Sequence, residues 1–355
     1  MKKGYNVAVV GATGAVGTEM LRMLAERHFP VKGLKVLASA RSKGRRVAFN
    51  GSTHTVEELT NRSFDGIDVA LFSAGAARSL EFGPEAVKRG AVVVDNSSAF
   101  RMRPDVPLVI PEVNPHALGS HQGLIANPNC STIVMLVPLA PIHRAAGVKR
   151  IVVSTYQSVS GAGAKAMAQL YEETKRALRQ FKIRSSEFVV KPKITEHRTP
   201  NYERVLPRQI AFNVIPQVGI FLDNRYTKEE MKMVNETRKI LEVPHLPVSS
   251  TCVRVPVFLA HATAVWVETE RPLSITEAHA LLRKAPGVRL IDDPKQGRYP
   301  TPLDAGAQDD VLVGRVRKDE SIRNGLVFWA TGDNLRKGAA TNAVQIAELL
   351  IRGTR

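Results

Sequence analysis

The apolar run Tyr5 to Val10 ends at a glycine and passes at once into Gly11-Ala12-Thr13-Gly14-Ala15-Val16-Gly17, after which Met20, Leu21, Leu24 and Ala25 recur at helical spacing. No other feature constrains the fold as much. Three glycines at a strand-to-helix junction make a turn tight enough for the amides of a helix N-terminus to approach a phosphate. The next β-branched run, Leu34 to Ala38, completes a βαβ unit. The spacing is GxxGxxG, not the commoner GxGxxG, so its position in a βαβ unit carries more weight than the motif itself. Gly11, Thr13, Gly14, Ala15, Val16 and Gly17 are the candidate pyrophosphate turn.

Short apolar runs continue at Val69 to Ser73, Ala91 to Asp95 and Leu108 to Ile110, with a helical stretch from Pro84 to Arg89. Strands alternating with helices predict a Rossmann-type, doubly wound parallel sheet over about the first 130 residues. The second half changes character. Arg150 to Val159 reads as a long strand, Ala164 to Phe181 as a helix and Cys252 to Glu268 as a second long strand, so an α+β domain is expected there. Ala339 to Arg352 is helical by its apolar spacing and is expected to return to the first domain.

A chain of 355 residues with 44% hydrophobic residues can build two cores, and two cysteines cannot make a disulfide framework. The longest apolar run, Ile133 to Ile142, contains Pro138 and Pro141 and is far shorter than the roughly 20 residues of a membrane helix. Lys2 and Lys3 before Tyr5 to Val10 imitate a signal peptide without a full apolar region, so a cytoplasmic location and no membrane partner are expected. The net charge of +17 favours anionic ligands. Because the basic residues are dispersed and aromatics make up only 6%, small anions are favoured over nucleic acid. No metal site is expected.

A dinucleotide fold usually carries an acidic residue at the end of its second strand for the ribose 2′-hydroxyl. Here the strand ends in Ser39-Ala40-Arg41-Ser42-Lys43-Gly44-Arg45-Arg46. Hydroxyls and a guanidinium at Ser39, Arg41 and Ser42 suit a 2′-phosphate, which favours NADP over NAD. Lys43, Arg45 and Arg46, taken singly, read as a solvated basic loop.

Cys130 follows Asn127-Pro128-Asn129 and precedes an apolar helix, a placement expected to stabilise a thiolate through the helix dipole and free amides. Cys252, inside a strand pattern, reads as inert. Together GATGAVG, NPNCST, Gln157 in STYQSVSGAG, CVRVPVFLAH and GDNLRKGAATNA resemble the aspartate-β-semialdehyde dehydrogenases, in the same order from residue 5 to about residue 350.

The resemblance implies NADP-dependent, reversible reductive dephosphorylation of L-aspartyl 4-phosphate to L-aspartate 4-semialdehyde, on the route to lysine, threonine, methionine and isoleucine. It implies Cys130 as a thioester-forming nucleophile, His261 as acid/base and Gln157 as the residue orienting the intermediate. Arg254 would take the α-carboxylate, Glu229 the amine, and Arg101 with Lys232 the phosphate, with Asn129 also at the substrate. Without Arg254 and Arg101, Glu229 and Lys232 would read as an ordinary surface ion pair. Ser73, Asn96, Ser160, Gly161 and Asn334 are implied as nicotinamide and ribose contacts. The implied organisation is a homodimer with an NADP-binding domain of residues 1–132 and 335–355 and a catalytic, dimerising domain of residues 133–334.

Residues 182–208, with seven Lys and Arg against three Glu, are longer and more basic than that pattern. N-acetyl-γ-glutamyl-phosphate reductase shares the fold and chemistry, but its cysteine usually follows Pro-Gly and precedes an aromatic, and an acetylated amine needs no Glu229. A basic nucleic-acid-binding module would leave GATGAVG and NPNCST as accidents.

Overall fold

A computed structural model of the chain describes residues 4–180 and 205–353. The first sheet is parallel, in the order β5-β2-β1-β6-β7-β8. Its strands are β1 (Tyr5–Val10), β2 (Val31–Ala38), β5 (Glu57–Glu58), β6 (Val69–Phe72), β7 (Val92–Asp95) and β8 (Leu124–Ala126); β3 (Arg46–Phe49) and β4 (Ser52–Thr55) form a separate hairpin. Val7 to Val10 are fully buried, as expected of a central strand covered on both faces. Helix α1 (Ala15–Glu26) shares one core with the C-terminal helix α8 (Thr341–Arg352), through Met20, Leu24, Ala343 and Ile346. The last helix therefore returns to the first sheet, as its apolar spacing predicts. Helix α2 (Ala76–Lys88) covers the opposite face with Phe82 and Ala86, so the sheet is doubly wound.

Several local expectations are corrected. The helix expected from Pro84 is the second half of α2, with Pro84 inside it. The segment 108–110 is not a strand: Leu108 makes one bridge to Ala126, and Pro107 and Pro111 on its flanks have no N–H to extend a ladder. The edge position belongs to β8, too short to carry a periodic signal. The C-terminal helix starts at Thr341, after a π-helical turn, Arg336–Ala340.

The second sheet is mixed, in the order β10-β9-β11-β14-β13-β12. It comprises β9 (Val148–Gln157), β10 (Val248–Arg254), β11 (His261–Thr269), β12 (Val288–Leu290), β13 (Val311–Asp319) and β14 (Gly325–Gly332). The run expected as one strand from Cys252 to Glu268 is broken, because the chain turns through Pro256 and through Ala260 at φ +66°. Its halves flank β9, β10 parallel and β11 antiparallel to it. Arg254 pairs with Gln157, while Ala262, one residue after His261, pairs with Tyr156. The break thus brings Gln157, Arg254 and His261 to one end of the sheet.

Helix α3 (Cys130–Ala146) packs on this sheet, alongside α5 (Lys228–Ile240) and α6 (Ile275–Lys284). Helices α4 (Ala164–Gln180) and α7 (Pro302–Ala305) complete the α-helices among the described residues. The basic stretch 182–208 lies outside the described residues except for 205–208.

The third glycine of the turn sets how α1 meets β1, because a Cβ on Gly17 would overlap the Gly11 carbonyl. Gly17→Ala should destabilise the chain by about 1–3 kcal/mol through overpacking. At Gly14 a Cβ would stand 3.3 Å from the same oxygen, so Gly14→Ala should cost less. Thermal denaturation of the two variants checks the order; equal melting temperatures would contradict it.

Candidate active site

A cleft of about 750 Å³ opens at the carboxyl end of β1, lined in part by Gly11, Thr13, Gly14, Ser39, Arg41 and Ser73. Gly11 has φ +87°, and a Cβ there would lie 2.6 Å from the Ser73 carbonyl oxygen, so only glycine lets the turn pass between β1 and β6. Gly14 is the N-cap of α1 and has no side chain to satisfy the first-turn amides, which include Ala15 and Val16. Those amides are a ready anion site. The basic loop after β2 starts as a 3₁₀ turn, Ala40–Ser42, and Ser42 Oγ lies 3.3 Å from Thr13 Oγ1, beside the glycine turn. Glu58, Arg78 and Glu81 also line the cleft and went unnoticed in the sequence. Glu58 sits 3.5 Å from Lys43 Nζ, which partly offsets its charge.

Cys130 is the first residue of α3. The carbonyl oxygen of the Asn129 side chain accepts from the N–H groups of Ser131 (3.0 Å) and Thr132 (3.3 Å), which caps the helix. Its Nδ2 donates to Glu229 Oε1 at 2.8 Å. Asn129 is thereby committed on both sides of its amide, with one N–H left over. Gly338, in the π turn before α8, packs directly on Cys130, since a Cβ there would lie 2.9 Å from Cys130 Cβ.

The groups around the thiol come from separate elements. Glu229 and Lys232 lie on α5, where Lys232 Nζ donates to Glu229 Oε2 at 2.8 Å. This pair is largely buried, not the surface pair that helix spacing alone suggests. Burial alone would raise Glu229, but Lys232, Asn129 and Arg101 outweigh it and hold the carboxyl below its ordinary value. Gln157 Nε2 donates to Thr155 Oγ1 at 3.2 Å and reaches Glu229 Oε1 at 3.5 Å. Arg254 Nη1 donates to the Ser158 carbonyl at 2.7 Å. Arg101 Nη1 donates to Glu236 Oε1 at 2.9 Å and Nη2 to the Asn96 carbonyl at 2.8 Å.

The expected thiolate is not what this environment favours. Burial and the nearby Glu229 push the Cys130 thiol up to about 11, against the opposing pull of Lys232, Arg101 and Arg254. Cys252 is buried in β10 and pushed up to about 12, chiefly by burial.

His261 is fully buried at the start of β11. Its Nδ1 accepts the Ser158 N–H at 3.1 Å and lies 3.0 Å from Ser158 Oγ. A peptide N–H can only donate, so Nδ1 bears no proton and the neutral ring carries its proton on Nε2. That Nε2 is buried with no partner among the described residues. Burial and Arg254 lower the imidazole to about 3, so the ring is neutral at physiological pH. Asn334 Oδ1 braces the cluster by accepting from Ser158 Oγ (3.1 Å), Ser160 Oγ (3.0 Å) and the Ala260 N–H (3.1 Å). A Cβ on Gly161 would lie 3.1 Å from His261 Nε2 and 3.0 Å from Arg254 Nη1, so this glycine keeps both groups open.

The expected site residues therefore fall into three groups. Gly11, Thr13, Gly14, Ser39, Arg41 and Ser73 line the cleft, Ser42 lies beside Thr13, and Ala15, Val16 and Gly17 form the first turn of α1. Glu229, Lys232, Arg101 and Arg254 act on the Cys130 thiol, and Asn129 and Gln157 reach Glu229 beside it. Ser160, Gly161 and Asn334 gather at His261, while the Asn96 carbonyl accepts from Arg101 and its Oδ1 accepts from Asn127. Ser158 and Glu236 are additions from the structure.

Residues 6–121 match a family model described as semialdehyde dehydrogenase, NAD binding domain, and residues 139–337 match semialdehyde dehydrogenase, dimerisation domain. The chain is 51% identical over 352 residues to aspartate-semialdehyde dehydrogenase of Aquifex aeolicus (strain VF5), covering 98% of each. Against the enzyme of the same name from Bacillus subtilis (strain 168) it is 50% identical over 351 residues, covering 99% of this chain and 98% of the other. A crystal structure of aspartate semialdehyde dehydrogenase II complexed with ASA, from Vibrio cholerae, superposes with a TM-score of 0.91 at 47% identity over the full length of both chains. Likeness of this order along the whole chain, in both halves, means that the chain belongs to the aspartate-semialdehyde dehydrogenase family.

Proposed function

We propose that the chain reduces L-aspartyl 4-phosphate to L-aspartate 4-semialdehyde with NADPH, reversibly, through a thioester on Cys130. The observation that carries this reading is the set of charges around the thiol: Arg101, Lys232 and Arg254 against Glu229. The substrate has two anionic ends and one ammonium group. Arg254 suits the α-carboxylate through its planar fork, Glu229 the ammonium, and Arg101 with Lys232 the phosphate.

In the forward direction the Cys130 sulfur attacks the acyl carbon, the carbon–oxygen bond to the phosphate breaks, and the thiol proton departs with the phosphate toward Arg101 and Lys232, giving the thioester. The dinucleotide, when bound, supplies the hydride that reduces this acyl carbon. His261 then matters through its Nε2 proton, which fits hydrogen bonding to the oxygen on which charge develops. Of the acid/base pair of roles, the substrate-free geometry provides the donor. Collapse of the thiohemiacetal returns the thiol and releases the aldehyde. Substrate also changes the thiol's surroundings, because its ammonium, set against Glu229, offsets the charge that opposes the thiolate.

The cleft beside β1 suits a dinucleotide: a glycine-only turn, uncapped helix amides and a volume of about 750 Å³. Gly11 to Gly17 would hold the pyrophosphate, and Ser39, Arg41 and Ser42 a 2′-phosphate. We assign the dinucleotide domain to residues 1–132 and 335–355 and the catalytic domain to 133–334, supported by the sheet that each segment joins. A homodimer formed by the second domain agrees with its family match and with an aromatic pair on the second sheet, where the rings of the exposed Tyr156 and the half-buried Trp329 stand 5.3 Å apart. A cytoplasmic location is supported by two free cysteines; no helix among the described residues is long and apolar enough to cross a membrane.

Aspartate semialdehyde, phosphate and NADP⁺ should yield NADPH, while N-acetylglutamate semialdehyde should not. Cys130→Ala should abolish this phosphate-dependent reduction yet leave dinucleotide binding intact, because the cleft is untouched. Activity retained in Cys130→Ala would refute the thioester. For the cofactor, charge-assisted bonds to a 2′-phosphate should make NADP bind at least about tenfold more tightly than NAD. Arg41→Ala should narrow that gap by weakening NADP. Equal affinities in a direct titration of the wild type would reject the reading of the loop after β2.

A further inference from the structure

We infer that Glu236 is a positioning residue that joins the phosphate-binding arginine to the loop bearing the nucleophile. The inference rests on the reading of Arg101 as a phosphate ligand given above.

Glu229, Lys232 and Glu236 recur on α5 at spacings of three and four, so all three project from one face of the helix. Glu236 is buried, with 1% of its surface exposed. Both of its oxygens are used, in different directions. Oε1 accepts from Arg101 Nη1 at 2.9 Å, and Oε2 accepts the backbone N–H of Asn129 at 2.7 Å. One carboxylate therefore holds the guanidinium and, through the residue before Cys130, the mouth of α3.

The Arg101 loop is held from α5 a second time. Lys239 Nζ donates to the carbonyls of Arg101 (2.8 Å), Arg103 (2.7 Å) and Val106 (2.8 Å), which fixes the backbone while Glu236 fixes the side chain. With one N–H of Nη1 on Glu236 and one of Nη2 on the Asn96 carbonyl, Arg101 keeps a second N–H on each Nη and its Nε, and Nε is buried without a partner among the described residues. A buried N–H in that state marks where an acceptor is wanted. Glu236 thus decides which edge of Arg101 is offered to the phosphate.

Only a carboxylate can perform this double acceptance. A glutamine has one acceptor oxygen, and its NH₂ would face a donor whichever way it turned. Either Arg101 or the Asn129 N–H would lose its partner.

The experiment measures steady-state kinetics in the phosphorylating direction, with aspartate semialdehyde and NADP⁺, for Glu236→Gln, Glu236→Asp, Arg101→Ala and the Glu236→Gln/Arg101→Ala double variant. Glu236→Gln should raise the KM for phosphate by about tenfold, the change expected when one charge-assisted hydrogen bond is lost, with the KM for NADP⁺ within about twofold of wild type. Glu236→Asp, which keeps two acceptors on a shorter arm, should recover part of the loss, and it serves as the probe if the glutamine variant does not fold. In the double variant the effects on phosphate KM should fall short of additive, because both changes disable the same guanidinium. If Arg101→Ala raises the phosphate KM while both Glu236 variants match wild type, or if the phosphate KM effects add fully, the inference is overturned and the reading of Arg101 stands. If Arg101→Ala leaves the phosphate KM unchanged, the reading of Arg101 falls and takes the inference with it.

Discussion

Two carboxylates on one face of α5 are buried against the mouth of α3, and the site is built around the need to pair them. An unpaired buried charge costs several kcal/mol, so each oxygen must find a donor. Glu229 takes Lys232 and the Asn129 side chain; Glu236 takes Arg101 and the Asn129 backbone. These four bonds bring α5, the Arg101 loop and the start of α3 into one arrangement. Cys130 sits inside it. Burial of the sulfur, with Glu229 packed close to it, outweighs the cations, so the thiol is raised, not lowered.

The same logic closes the chain on itself. Arg336 is ion-paired with Glu26 and, at 2.9 Å, with Asp309, and the buried Lys337 reaches Glu112 at 2.6 Å and Gln345 at 2.6 Å. Both lie in the π turn before α8, which contributes its apolar face to the core beneath the first sheet. Gly338 of that turn touches Cys130. The segment that joins α8 to the core of the first sheet therefore also packs against Cys130, so a change in how α8 seats on that sheet is felt at the sulfur.

Local chemistry made the first sheet legible in the sequence. A glycine turn after a β-branched run specifies a βαβ unit within a few residues, and Asn129 announces the start of α3 because an N-cap acts on its immediate neighbours. Features set by distant partners were not legible. The three apolar residues at 108–110 look like a strand, but prolines on either side leave them a single bridge. The run from Cys252 to Glu268 has no glycine, yet the chain turns through Pro256 and Ala260, which sets Arg254 and His261 on opposite flanks of β9. In the site, Arg101, Gln157, Glu229, Lys232, Arg254 and His261 were reached through motif resemblance, since the groups that give them meaning are often a hundred or more residues away. Glu236 had only its helical spacing from Glu229 as a signal, and Ser158 had none, because its part is played largely by a backbone N–H.

The central claim is that the resting enzyme holds Cys130 as a protonated thiol beside a buried carboxylate, not as a preformed thiolate. Alkylation by iodoacetamide in the absence of substrate, followed from pH 7 to pH 10 with peptide mapping to separate Cys130 from Cys252, tests it most directly. With the thiol at about 11, the thiolate fraction and the Cys130 rate should climb about tenfold per pH unit without levelling off. Glu229→Gln removes a charge that raises the thiol, so its rate at a given pH should be higher. A wild-type rate already on a plateau by pH 8 would contradict the account.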